Sequence, residues 1–115
     1  METLGAANNY ASSLLNLEHY AEAKALLRKV TPVARRVLGE GHRLTLKMRW
    51  NYARALCNDP GATLDGLREA VTTLEDTERI ARRVLGGAHP TTVGIEISLQ
   101  NSREALRACE TPSPR

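Results

Sequence analysis

The chain has 115 residues, 42% hydrophobic and 25% charged, enough for an independent but modest core. No apolar run approaches the ~18 residues of a membrane-spanning helix, and Met1-Glu2-Thr3-Leu4 lacks the basic and apolar stretches of a secretory signal. The net charge of +3 falls short of a nucleic-acid binder's basic stripe, and Cys57 and Cys109 read as reduced, inert thiols in the cytoplasm.

Five helices are expected, and the absence of strand alternation makes the class all-α. The first runs from about Thr3 to Asn16, with Leu4, Ala7, Tyr10, Ala11 and Leu14 as its apolar stripe. The second runs from about Tyr20 to Leu38 on Tyr20, Ala23, Leu27, Val30, Ala34 and Val37. Pro32 falls inside it and predicts a kink near Arg28 or Lys29, while Gly39 closes it. The third spans about Leu44 to Cys57, followed by Asp59-Pro60-Gly61, in which proline sets one corner of a turn and glycine permits a positive φ. The fourth, about Leu64 to Leu85, carries Leu67, Val71, Leu74, Ala81 and Val84, with Ala70 and Leu85 beside them, before Gly86. The fifth opens on Pro90, runs to about Ala108, and is expected to cover the fourth through Val93, Ile97 or Leu99. Thr111-Pro112 and Ser113-Pro114 resemble proline-directed phosphorylation sites, but a disordered end is the favoured reading.

The chain repeats itself. Arg35-Arg36-Val37-Leu38-Gly39 and His42 return 47 residues later as Arg82-Arg83-Val84-Leu85-Gly86 and His89. Asn9-Tyr10-Ala11 returns 42 residues later as Asn51-Tyr52-Ala53, so the extra residues belong to the turn around Asp59-Pro60-Gly61. The division that follows is residues 1–42 as one helix pair and 43–89 as a second, with a long inter-helix loop near 58–63. Residues 90–109 form a lone helix acting as a cap, and 110–115 a tail. Such a layout is expected of a piece cut from a longer array. Short links make neighbouring helices antiparallel, so the pairs should stack as a right-handed α-solenoid.

No nucleophile elbow, phosphate-cradling glycine loop, His-x-x-x-His or paired-carboxylate cluster is present, so neither an enzyme nor a metal or cofactor site is expected. His42 and His89 occupy equivalent interhelical loops, where a cap hydrogen bond is the favoured role over a ligand, and His19 belongs to a helix–helix turn. The Arg35-Arg36 and Arg82-Arg83 pairs complement helix C-termini.

Thr3-Leu4 with Asn8-Asn9-Tyr10-Ala11, Tyr20-Ala21-Glu22-Ala23 and Arg36-Val37-Leu38-Gly39 together resemble the long tetratricopeptide repeat of kinesin light chains. Thr45-Leu46 with Asn51-Tyr52-Ala53, Arg83-Val84-Leu85-Gly86 and His89-Pro90 continue the resemblance. Arg43, Asp59-Pro60-Gly61 and Ser98-Leu99-Gln100 depart from that pattern. The resemblance implies that the first helix of each pair lines a concave groove in which asparagines grip peptide backbone and basic residues favour acidic motifs. Helical spacing then puts Asn9, Ser12 and Asn16 on one face of the first helix, and Lys47, Asn51, Arg54 and Asn58 on one face of the third. Gly94, Ser98, Asn101 and Ala105 are their counterparts on the fifth. The candidate site is therefore Asn9, Ser12, Asn16, Lys47, Asn51, Arg54, Asn58 and Asn101, facing away from the core and receiving an extended, acidic peptide or protein partner. A solvated polar face is the plainer reading of the same residues. Trp50 reads as inter-repeat packing ahead of a peptide platform. Neither nucleic acid nor membrane is an expected partner. The competing function is a structural segment that self-associates through its exposed ends.

Overall fold

The computed structural model describes residues 2–110. Five helices follow one another: α1 Glu2–Asn16, α2 Tyr20–Leu38, α3 Arg43–Cys57, α4 Leu64–Val84 and α5 Pro90–Glu110, with no strand among the described residues. Glu110, assigned to the tail on sequence, closes α5; Thr111-Pro112 and Ser113-Pro114 lie outside the described residues.

The helix ends come from local chemistry that recurs. Gly39 takes φ 97° and ψ 160°, a conformation closed to side-chain-bearing residues, and donates its N–H to the Arg35 carbonyl at 3.1 Å. The His42 Nδ1 then accepts from the Leu44 N–H at 3.0 Å and starts α3. One repeat later Gly86 takes φ 94° and bonds the Arg82 carbonyl at 3.1 Å, and His89 Nδ1 accepts from the Thr91 N–H at 3.1 Å. Both histidines are caps. Between α3 and α4 the turning is done by Asp59, whose carboxylate accepts from the Gly61 N–H at 2.9 Å, while Gly61 stays out of the left-handed region. Thr63 caps α4 by accepting from the Gly66 N–H at 3.0 Å. The helix α2 runs unbroken through Pro32.

Each helix packs on the next, and α3 also touches both α1 and α5. The odd-numbered helices thus form one layer and α2 with α4 the other, in a stack with extents 53 × 30 × 21 Å. Ala11 and Ala53, Ala23 and Ala70, and Ala34 and Ala81 are repeat equivalents, and all six are fully buried. A methyl at these crossings lets the helix backbones approach closely, and Leu27, Leu46, Met48, Leu74 and Ile95 fill the remaining space. Three residues of the expected stripes are outside this core: Tyr10 is 57% exposed, and the equivalent pair Val37 and Val84 are each 49% exposed. The fifth helix buries Ile95 and Leu99 and leaves Val93 and Ile97 outside.

Candidate functional site

Between α2 and α4, over α3, lies a cavity of about 250 Å³ lined by Arg28, Thr31, Arg35, Arg49, Tyr52 and Glu69, among others. Its charges are spoken for. The Tyr52 hydroxyl accepts from Arg28 at 2.8 Å and donates to Glu69 at 2.6 Å. Burial, followed by the Glu69 hydrogen bond, pushes the Tyr52 phenol above its ordinary range, and the hydrogen bond to Tyr52 raises Arg28. The Arg49 side chain is 8% exposed and bridges Asp76 at 2.8 Å and Glu40 at 3.3 Å; Arg35 also holds Glu40, at 2.8 Å.

The third helix differs. Within α3, Arg43, Lys47, Arg49 and Arg54 occur with no acidic residue. Among the described residues Arg43, Lys47 and Arg54 pair with no carboxylate, as is also true of Lys24, Lys29, Arg36, Arg83 and Arg107, whereas Arg28, Arg35, Arg49, Arg68, Arg79, Arg82 and Arg103 each do.

Of the eight candidate residues, Ser12, Asn51 and Arg54 are brought together. Asn51 donates to Asn8 Oδ1 at 3.0 Å and to Ser12 Oγ at 3.1 Å across the α1/α3 seam, and its own Oδ1 accepts from Arg54 at 3.2 Å. Asn51 is therefore buried, not turned away from the core as its polarity implied: an amide with its donors and acceptor matched is cheap to bury. Arg54 and Ser12 are half-buried beside it. Asn9, Asn16 and Lys47 are exposed on their helices, Asn58 is exposed at the α3 C-cap, and Asn101 is exposed on α5. Asn8, the first asparagine of Asn8-Asn9, is not among the eight candidates; its signal was its place beside Asn9 in the repeated Asn-Tyr-Ala block. Trp50 packs between repeats. Its indole lies against Gly94, and its Nε1 donates to Ser98 Oγ at 2.8 Å, which fills two of the four equivalent positions on α5.

The comparison with known protein families bears on this architecture directly. Residues 3–44, which comprise most of α1, all of α2 and the first two residues of α3, match the tetratricopeptide repeat model. The first helix pair is a tetratricopeptide repeat. The second pair repeats its sequence pattern and its glycine and histidine caps, and the packing of the five helices is consistent with a tetratricopeptide-repeat solenoid. Tetratricopeptide repeats are in general non-catalytic modules for protein interaction. No curated protein and no solved structure matched the chain. No described helix is long and apolar enough to cross a membrane, and no metal-holding cluster of His, Cys, Asp or Glu occurs among the described residues.

Proposed function

We propose that the layer of odd-numbered helices binds an extended, acidic peptide or protein segment across Asn9, Ser12, Asn16, Lys47, Asn51, Arg54, Asn58 and Asn101. The observation that carries this reading is that Arg43, Lys47 and Arg54 have no carboxylate partner among the described residues, on a helix without acidic residues. Elsewhere Arg28, Arg35, Arg68, Arg79, Arg82 and Arg103 are neutralised in place, whereas Arg36, Arg83 and Arg107 pair with no carboxylate among the described residues. Arg54 uses one of its five N–H groups on Asn51, which holds the guanidinium in position and leaves a fork for a carboxylate. In this role Asn51 is a positioning residue, while Asn9, Asn16 and Asn58 offer amides to peptide backbone. Because odd-numbered helices touch and even-numbered ones do not, the odd layer traces the shorter, inner arc of a curved stack. The resemblance to kinesin light chains supports the same use and a cytoplasmic setting. Nucleic acid is not the partner in this reading, since the chain has one Trp, three Tyr and no Phe to stack bases.

The test is calorimetric titration with extended acidic peptides carrying one aromatic residue, alongside a charge-reversed set. Binding of the acidic set alone, lost in Arg54→Glu with the helical circular dichroism intact, supports the groove. Equal binding of both sets, or full binding by the folded variant, removes it.

A further inference from the structure

Two contacts one repeat apart obey one rule. Asn8 of α1 meets Asn51 of α3 at 3.0 Å, and Trp50 of α3 meets Ser98 of α5 at 2.8 Å. Asn8 and Trp50 are equivalents 42 residues apart, and Asn51 and Ser98 are equivalents 47 apart. One residue of each odd helix reaches forward to the next, and the position after it reaches back. In the second seam the indole also occupies the space over Gly94, one turn before Ser98.

Carried one step further, the rule lands on Ile97, the α5 equivalent of Trp50, which is 53% exposed. One turn earlier Val93 is 39% exposed, although its equivalent Leu46 is fully buried. No described residue covers this forward face. The backward-reaching pair Gly94 and Ser98 has equivalents on α1 in Gly5 and Asn9. A Cβ at Gly5 would meet nothing within 4 Å, and Asn9 is exposed. Among the odd helices, glycine stands at this position on α1 and α5, and Lys47 on α3. On α5 the glycine receives a large apolar side chain. On α1 the same receptor is open, and Ile97 is an unburied apolar group set in the matching register.

We propose that the chain associates head to tail with a second copy of itself, α5 of one copy seating on α1 of the next. Ile97 then lies over Gly5 and beside Asn9, as Trp50 lies over Gly94 and beside Ser98. None of Gly5, Asn9, Val93 and Ile97 is charged. Inside the chain the α3/α5 seam is bridged by α4, which packs on both. No such helix spans the joint between copies, so the association is weak and reversible. The contact is heterologous, and it extends rather than closes.

Sedimentation velocity of the full chain over a rising concentration series tests this. The weight-average sedimentation coefficient should climb with concentration. Ile97→Glu and Gly5→Glu should each remain monomeric alone, with helical circular dichroism retained and melting no lower than the parent's because both sites are open. Mixed together, they should form a dimer that grows no further, because one variant keeps a competent α1 and the other a competent α5. The uncharged pair Ile97→Asn and Gly5→Gln should behave likewise, which separates packing from net charge. A parent chain that stays monomeric throughout overturns the proposal. So does a Gly5→Glu chain that still associates alone, which would mean α5 meets its own copy, or a mixture that stays monomeric.

Discussion

The indole of Trp50 occupies the space where a side chain on Gly94 would begin: a Cβ there would stand 2.4 Å from Cη2 and 2.6 Å from Cζ2. Helix interiors disfavour glycine by about 1 kcal/mol relative to alanine, so its presence in α5 is explained by this contact. Trp50 fastens the fifth helix to the third, and Gly94 is the reason it fits.

Gly94→Ala should therefore destabilise the chain, despite the better helix former, by about 1–3 kcal/mol of overpacking. Gly5→Ala is the control: it meets open space and should stabilise by up to about 1 kcal/mol. Thermal unfolding followed by circular dichroism reads both. Equal gains at the two glycines would show that the indole moves aside without cost.

Asn51→Ala removes two donors and one acceptor from the α1/α3 seam at once. Asn8, itself buried, loses the partner of its Oδ1, and Arg54 loses its support. The expected loss is about 1–3 kcal/mol of folding stability, measured as a lowered urea midpoint. Asn9→Ala and Asn16→Ala, exposed on the same helix layer, should fall within about 0.5 kcal/mol of the parent. An Asn51→Ala chain as stable as those two would make the seam hydrogen bonds dispensable.

That contrast shows what was legible in the sequence. The helix boundaries were, because their punctuation is local and repeated: Gly39 with His42, Gly86 with His89, and Asp59 ahead of Gly61 each act on their own backbone. Burial was less so, because it depends on neighbours. Tyr10 and Tyr52 are equivalent, yet Tyr52 is 9% exposed between α2 and α4 and Tyr10 is 57% exposed. Periodicity gives the face of a helix and not what covers it. For Asn51 the failure was different, since a polar residue was read as outward-facing although a fully partnered amide buries at little cost. Asn51 ties Ser12 and Arg54 together, and its further partner Asn8 lies one position from the candidate Asn9.

Stability should also depend on pH through Tyr52. Its phenol is raised above the ordinary 10.0, chiefly by burial, so the folded chain holds that proton to higher pH than the unfolded one. The contribution is complete below pH 10 and is lost as pH rises through the folded value, because the unfolded state ionises first. Denaturant midpoints for the parent should thus fall more steeply above pH 10 than those of Tyr52→Phe. At neutral pH that variant should cost only about 0.5–1.5 kcal/mol, since Arg28 and Glu69 are exposed enough for water to replace the phenol. Parallel curves for the two chains would place the phenol outside the folding equilibrium.

Binding of an acidic peptide should distinguish Arg54 from Lys47, although both are cations of α3 without carboxylate partners. Lys47 is exposed and flexible, and a pair it makes with the peptide is a surface ion pair worth about 0–1 kcal/mol. Arg54 is half-buried and already braced by Asn51, so its fork loses less freedom on engaging a carboxylate. Lys47→Ala should accordingly weaken binding by a few-fold at most and flatten its dependence on ionic strength. Arg54→Ala should cost about tenfold, equivalent to about 1.4 kcal/mol. Arg54→Lys should recover only part of this, because an ammonium keeps the charge without the bidentate geometry. Titrations of the four chains with one acidic peptide, at low and at physiological ionic strength, give the comparison. If Arg54→Lys binds as the parent does, the recognition is by charge alone and the bracing by Asn51 contributes nothing to it. If Lys47→Ala loses more than Arg54→Ala, the peptide crosses α3 nearer its N-terminus than the Asn51 seam.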